Sequence, residues 1–316
     1  MRNRPTPRAL LAAAILIGSL TACGDDASGA GDGKLSVVAA FYPLQFVAEK
    51  VGGDAVSVTN LAKPGAEPHD LELNADQVAQ IVDAKVVVYL KGFQPAVDEA
   101  VEQQGGDRAF DVSTAVPLLN AAGDGHSHEG EEPGAEEREE ATGHKDPHVW
   151  LDPTRLATIG ESVAQRLGQA DPDHAADYSA RAATLRADLD TLDKEYAAGL
   201  KTCQRREIVT SHSAFGYLAD RYDLEQIGIT GLTPEDEPSP KRLAEVAAEA
   251  REHKATTIFF ETLVSPKVAD TIASEVGAKT AVLDPIEGLQ PDSSDDYFSV
   301  MRKNLATLEP ALGCTR

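Results

Sequence analysis

The chain has 316 residues, with 52 acidic and 29 basic side chains, so its formal net charge is −23. Such acidity argues against nucleic acid as a partner, because phosphate binding relies on clustered lysine and arginine. It suits a cationic ligand, although an acidic surface is also a common route to solubility.

The first 22 residues have the pattern of an export signal. Three arginines precede an apolar run over residues 9–20, which is shorter than the roughly 20 apolar residues of a membrane-spanning helix but typical of a secretory signal. The residues "LTAC" (20–23) resemble a lipobox, in which cleavage leaves Cys23 as the lipid-carrying N-terminus; an ordinary signal with an incidental cysteine is the alternative. We interpret residues 1–22 as a lipoprotein signal peptide and residues 23–34 as a flexible tether.

Two further cysteines remain after Cys23, namely Cys203 and Cys314. An exported compartment permits disulfides, and each of the two has only the other as a partner. We predict a Cys203–Cys314 bridge, with two buried free thiols as the alternative.

From residue 35 onward, short apolar strands alternate with helical patterns, which indicates α/β units on a parallel sheet. Residues 35–170 are predicted to form an N-terminal lobe, in which Asn74 is the N-cap of the second helix. The predicted strands cover residues 35–40, 56–61, 85–90 and 108–112, and the helices cover residues 42–53, 74–84 and 95–104. Residues 121–145 interrupt this lobe with glycine, acidic residues and histidine, so we expect a disordered, solvated loop there.

The second half of the chain begins with two helical patterns, at 152–169 and from Pro172 to about Lys201. The second pattern is about 30 residues, or roughly 45 Å, long, which is enough to join two lobes, so residues 171–201 are predicted to be a linking helix. Residues 202–316 then form a C-terminal lobe. Its predicted strands are 207–211, 224–229, 256–261 and 279–283, and its helices are 214–222, one capped by Ser239 with Pro240 at its first position, 266–277 and about 296–312.

The fold class predicted from these patterns is α/β, with two similar parallel-sheet lobes, one long rigid helix between them, and an interlobe cleft. Ligands of open α/β sheets bind beyond the carboxyl ends of the strands. Four residues meet this criterion, as each follows a strand or lies where the acidic loop meets the next helix: His69, His148, His212 and Asp284. The chain contains no glycine-rich phosphate loop, so nucleotide chemistry has no support.

Three imidazoles and one carboxylate suit Zn²⁺ in tetrahedral coordination. Four protein ligands leave no position for an activated water, which favours holding the metal over catalysis with it. The spacing of these residues matches no local ligand pattern, so surface or capping histidines are the alternative.

Five motifs carry a resemblance to a known family: "EPHDLEL", "DPHVWLDP", "TSHSAFGYLA", "EPSP" and "LDPIEGL". In this order, and after a lipobox, they resemble the metal substrate-binding lipoproteins of bacterial ABC transporters, the zinc and manganese solute-binding family. The resemblance covers nearly all of residues 35–312. It implies two bridged α/β lobes that hold a metal between groups matching His69, His148, His212 and Asp284. Manganese members usually have glutamate at the third position, so His212 favours zinc.

The resemblance also implies a function. The chain would be a monomeric receptor, anchored by lipid to the extracytoplasmic face of the cell membrane, that captures Zn²⁺ and delivers it to the permease of an ABC importer without covalent chemistry. The alternatives are a manganese receptor of the same family, a metal-dependent surface adhesin, and an extracellular metallohydrolase with an open coordination position.

Other polar residues near these motifs could serve the site or the fold. Glu67 is either an extra oxygen ligand or part of a turn, while Glu261 and Glu287 are expected to be structural. Three aspartates could orient imidazoles or act as caps, since metal-bound histidines usually donate their other N–H: Asp70, Asp146 and Asp152. The residues expected to pack beside the site or to lie at the surface are Trp150, His174 and His253.

Three histidines lie in or beside the acidic loop: His126, His128 and His144. We interpret them as a low-affinity collector that raises the local Zn²⁺ concentration, because similar loops recur at this place in zinc members of the family. A solvated linker that merely tolerates histidine is the alternative.

Overall fold

The computed structural model describes Met1 and residues 33–121 and 144–315. The predicted signal peptide, Cys23, His126 and His128 lie outside the described residues. Residues Met1–Gly33 separate from Lys34–Arg316 as a unit of their own, and the fold below is that of the second unit. Within the two described ranges, no helix combines the length and the apolar character that a membrane span requires.

Four parallel strands form the first sheet, in the order β2-β1-β3-β4. They are β1 (Leu35–Ala39), β2 (Val56–Asn60), β3 (Val86–Tyr89) and β4 (Ala109–Asp111), and the helices among them are α1 (Tyr42–Gly52), α2 (Ala75–Asp83) and α3 (Pro95–Gln104). Asn74 caps α2, as predicted, in a capping box with Gln77. The central strands are apolar on both faces because helices cover both.

Two helices follow the acidic loop, namely α4 (Pro153–Ala170) and α5 (Ala175–Gly199). The linking helix was predicted to be about 30 residues long, but the α-helix α5 has 25 residues, or about 37 Å. It starts later because Pro172–His174 form a 3₁₀ turn, in which Asp171 accepts hydrogen bonds from His174 and Tyr178.

The second sheet repeats the topology of the first, with parallel strands in the order β6-β5-β7-β8. Its strands are β5 (Glu207–Thr210), β6 (Glu225–Gly228), β7 (Thr257–Phe260) and β8 (Lys279–Val282), and its helices are α6 (Gly216–Tyr222), α7 (Pro240–Glu252), α8 (Lys267–Val276) and α9 (Tyr297–Leu312). Ser239 caps α7 as predicted. The predicted fold class, two similar parallel α/β lobes, is confirmed.

The linking helix α5 is bonded to both lobes. Arg181, in its first half, donates to the Gly52 carbonyl at 3.4 Å, and the Tyr196 hydroxyl, in its second half, donates to the Met301 carbonyl at 2.6 Å. Tyr196 is fully buried, so this bond lies inside the core that runs from the first lobe through α5 into α9. The helix therefore restrains the two lobes relative to each other.

A disulfide joins Cys203 to Cys314 across 111 residues of sequence, and the predicted bridge is confirmed. It ties the segment before β5 to the second residue after the last helix. The backbone N–H groups of Gln204 and Arg205 bond the Leu312 carbonyl beside it, both at 3.1 Å. This closure lies at the amino end of β5, the end opposite to the one from which His212 follows.

Candidate metal centre

Three imidazoles and one carboxylate converge between the lobes. His69, His148, His212 and Glu287 each offer a ligand atom, and these atoms lie within 4.8 Å of one another. The four residues are only 0 to 7% exposed. A single oxygen, Oε1 of Glu287, lies 3.3 Å from Nε2 of His69, 3.2 Å from that of His148 and 3.1 Å from that of His212. A tetrahedral zinc ion with bonds of about 2.0 to 2.1 Å holds its ligand atoms about 3.3 Å apart, so the spacing fits that ion.

Each member of this cluster comes from a different loop. His69 lies in the loop after β2, and His148 is the residue directly before the 3₁₀ segment that leads into α4. His212 follows β5, and Glu287 lies in the loop after β8. β5 is a central strand, and the strand order of the second sheet reverses beside it. Ligands of open α/β sheets bind beyond the carboxyl ends of the strands, and the residues that follow the strands of the two lobes meet at one place here.

Two carboxylates orient the imidazoles. Asp146 Oδ1 lies 2.8 Å from Nδ1 of His148, and Glu261 Oε1 lies 2.8 Å from Nδ1 of His212. A carboxylate only accepts, so each Nδ1 carries a proton, and the Nε2 of each ring faces Glu287. The buried Nε2 of His148 has no hydrogen-bond partner among the described residues. A borderline metal ion suits imidazole ligands, and on binding here it would displace any proton from these Nε2 atoms and take their lone pairs.

Burial and opposite charge act against each other on these groups. Burial alone would lower the pKa of His212, but the Glu287 and Glu261 carboxylates outweigh it and hold this pKa well above its usual value. Burial also acts to lower the pKa of His148, but the nearby carboxylates of Asp146 and Glu287 outweigh it and raise this pKa, whereas burial lowers that of His69. Burial would raise the pKa of Glu287, but His212 and the other imidazoles hold it well below its usual range.

Asp284, expected from the sequence to be the fourth ligand, is not among the four residues of this cluster, in which the carboxylate beside the imidazoles is that of Glu287. The carboxylate of Asp284 is already engaged, because it accepts from the Thr262 hydroxyl at 2.7 Å and from the Ile286 N–H at 2.8 Å. The side-chain amide of Asn304 binds the backbone of Asp284 twice: its oxygen accepts from the Asp284 N–H, and its nitrogen donates to the Asp284 carbonyl. Asp284 therefore shapes the turn after β8.

That turn directs Glu287 toward the imidazoles. Ile286 has a φ of 62°, a left-handed conformation that is strained for a β-branched residue. The Ile286 side chain is fully buried, and the indole N–H of Trp150 donates to the Pro285 carbonyl at 2.7 Å. Trp150 thus packs beside the site, as expected, and also ties the His148 segment to the Glu287 loop.

Sequence reasoning missed Glu261 and Glu287, both of which were expected to be structural. The signal that could have found them is their position, since Glu261 directly follows β7 and Glu287 follows β8 in the same loop as Asp284. Strand ends alone do not distinguish the residue nearest the strand from one three positions later. Glu67 accepts from the His69 N–H, and burial, followed by the charge of Glu287, raises the pKa of Glu67 to about 9.

The remaining candidates lie outside the cluster. Asp152 caps α4 through the Thr154 N–H, and Asp70 is exposed. His174 is largely exposed and bonded to Asp171, and His253 is partly exposed and paired with Glu207. His144 is exposed, and its carbonyl accepts from the Ala121 N–H.

Asp146 is expected to tune metal affinity through His148. Changing Asp146 to Ala should weaken zinc binding by about 10- to 100-fold, because the imidazole loses the acceptor that fixes its tautomer and orientation. Asp152→Asn is the matched control, since asparagine also caps helices. Competition with a chromogenic chelator measures both affinities, and equal affinities in the two variants would refute the orienting role.

Comparison with known proteins assigns this chain to a family. The profile of the ZnuA family, described as "Zinc-uptake complex component A periplasmic", matches residues 37–311. The zinc-binding protein AdcA of Streptococcus pyogenes serotype M3 is 38% identical over 289 residues, which are 88% of this chain and 56% of that protein. The high-affinity zinc uptake system protein ZnuA of Bacillus subtilis is 35% identical over 96% of both chains.

A solved structure extends the likeness to the fold. The Zn(II)-bound ZnuA-like domain of AdcA from Streptococcus pneumoniae is 34% identical, covers 89% of this chain and 99% of that one, and superposes with a TM-score of 0.72. The matched residues 37–311 include both α/β lobes and all four residues of the buried histidine and glutamate cluster. The chain belongs to the ZnuA family, and it spans little more than half the length of the first AdcA relatives.

Proposed function

We propose that this protein is an extracytoplasmic receptor that captures Zn²⁺ and delivers it to the permease of an ABC importer. The observation that carries the proposal is the approach of three imidazole nitrogens to one oxygen of Glu287, at 3.1 to 3.3 Å. In this proposal His69, His148, His212 and Glu287 are the four metal ligands. The names of the relatives, which describe zinc binding and zinc uptake, support the same ion.

The donor set favours zinc over manganese. Imidazole nitrogen suits Zn²⁺, whereas Mn²⁺ prefers oxygen ligands and more of them. Four protein ligands complete a tetrahedral zinc site and leave no position for an activated water, so the proposed work is binding and transfer without catalysis. The adhesin alternative gains no support from the buried cluster, because its residues are at most 7% exposed.

Location and partners are further parts of the proposal. The signal-like residues 1–22 and the "LTAC" motif support export and a lipid anchor on Cys23, and the family description includes the word periplasmic. The monomeric state and the collecting role of His126, His128 and His144 stay predictions. Because α5 is bonded to both lobes, we expect release of the ion to involve loops and small lobe shifts.

Zinc titration of the purified protein tests the proposed function. We expect one tight Zn²⁺ per chain by isothermal calorimetry and elemental analysis, and no stoichiometric zinc in His69→Ala, His148→Ala or His212→Ala. Competition with Mn²⁺ should leave zinc bound. Retention of one zinc ion in all three variants would overturn the site.

Zinc affinity should fall as the pH falls. His148 and His212 have raised pKa values in the free protein, so protons occupy them at pH values where an ordinary histidine is already neutral, and zinc must displace these protons. The carboxylate of Glu287 stays ionised because its pKa is lowered. We expect up to about tenfold weaker binding per pH unit for each displaced proton, measured with a chelator between pH 8 and pH 6. An affinity that is constant over this range would contradict the prediction.

A further inference from the structure

A second cluster adjoins the imidazole site and consists of carboxylates alone. Glu67, Glu261 and Glu287 each offer a carboxylate oxygen, and these oxygens lie within 4.8 Å of one another. Glu287 belongs to both clusters. The other two carboxylates come from different lobes, Glu67 from the loop after β2 and Glu261 from the end of β7.

Each of these carboxylates uses one oxygen and leaves the other without a partner. Glu261 Oε1 accepts from Ser211 Oγ at 2.7 Å and binds Nδ1 of His212 at 2.8 Å. Glu67 Oε1 accepts from the His69 N–H at 2.9 Å. The Oε2 atoms of Glu67, Glu261 and Glu287 are all buried, and none has a hydrogen-bond partner among the described residues.

Three carboxylates at such close range, each with a buried unpartnered oxygen, are unfavourable when ionised unless something positive lies among them. Buried polar atoms are nearly always bonded, and like charges in a shared site repel. Glu261 is 2% exposed and Glu287 is 0% exposed, so bulk water does not screen them. Oxygen ligands of this kind bind divalent cations.

We propose that Glu67, Glu261 and Glu287 form a loading subsite, in which a divalent cation is held by oxygen alone before it reaches the imidazoles and after it leaves them. This inference rests on the proposed function and adds the route to the site. Glu67 is the partly exposed member of the three, so the ion meets it first. Glu287 is shared, so the ion can exchange carboxylates for imidazoles while it remains bound to one ligand throughout.

A residue on the route affects the rates of binding and release together. If Glu67 holds the ion only in transit, the loss of its carboxylate raises the activation free energy of both binding and release by the same amount. The free-energy difference between the free and the zinc-bound protein is unchanged. We expect Glu67→Gln to lower kon and koff for Zn²⁺ by the same factor, about tenfold, while Kd stays within about twofold. Glutamine keeps an acceptor for the His69 N–H, so the backbone of the ligand loop is preserved.

Stopped-flow binding of Zn²⁺ alone and chelator-driven release, at 0.15 M salt, measure both rates. Glu235→Gln is the matched control, because Glu235 is an exposed carboxylate that interacts with Glu287 and Glu261 at a distance but is not part of the three-carboxylate cluster. The Glu235→Gln variant shows how much of any change in the Zn²⁺ binding rate comes from long-range electrostatic attraction.

Equal losses in kon and koff for Glu67→Gln, well beyond those of Glu235→Gln, would support the loading subsite. The proposal is overturned if the two variants have the same kon. It is also overturned if only koff rises, since that is the signature of a residue that merely supports His69. The proposed function fails on a different result, the absence of stoichiometric zinc in the unmodified protein.

Discussion

Replacing Glu287 by alanine is expected to weaken Zn²⁺ binding by at least about 100-fold, because the ion would lose the one charged ligand proposed for it. The residues that orient ligands typically contribute 10- to 100-fold. Glu287 is fully buried, and its Oε1 faces all three imidazoles. The remaining imidazoles can still bind metal, but with neutral nitrogens alone. Affinity is measured by competition with a high-affinity zinc chelator at pH 7.5.

Asp284→Asn is the control that separates the two carboxylates of this loop. Asparagine retains an acceptor for the Ile286 N–H, so the turn that directs Glu287 should persist. We expect this variant to bind zinc within about threefold of the unmodified protein, because its side chain orients a turn without contacting the ion. A large loss for Asp284→Asn with little effect of Glu287→Ala would reverse the assignment of the fourth ligand.

Removal of the disulfide should have the largest effect on stability. Replacing Cys203 and Cys314 together by serine is expected to lower the free energy of unfolding by about 2 to 5 kcal/mol, since the bridge restricts a long segment of the unfolded chain. The bridge closes 111 residues of sequence. Urea unfolding of the metal-free protein, monitored by circular dichroism, measures the difference.

Zinc affinity provides the control for this variant. The bridge lies before β5, while the ligands follow the opposite ends of the strands, so the double serine variant should keep its zinc affinity. An unchanged urea midpoint would refute the stabilising role. A loss of zinc binding in the folded variant would show that the closure also positions the site.

The architecture was largely predictable because strand and helix signals are local. Asn74 and Ser239 were identified as caps from their own neighbourhoods, and both cap as predicted. The long helix was predicted to be several residues longer than it is, because periodicity does not reveal that Asp171 ends one helix and organises the turn before the next.

The site was partly predictable because parallel strands end at a common edge. This rule, together with the family resemblance, selected His69, His148 and His212, which the structure brings to one oxygen of Glu287. Their role as zinc ligands is the proposal that the variants test. The orienting role of Asp146 was one of two interpretations left open, and its bond to His148 supports it.

The amino-acid sequence by itself indicated the two α/β lobes and the cysteine pair, and with the family resemblance it pointed to the three histidines, because apolar periodicity, residue type and strand position express these features locally. Only the tertiary structure decided which carboxylate joins the histidines. That choice depends on the left-handed Ile286 and on bonds from Asn304 and Trp150, which lie 20 and 135 residues from the groups they bind. Such contacts form between segments distant in sequence, so they turn Glu287 toward the imidazoles and Asp284 away without leaving a local pattern.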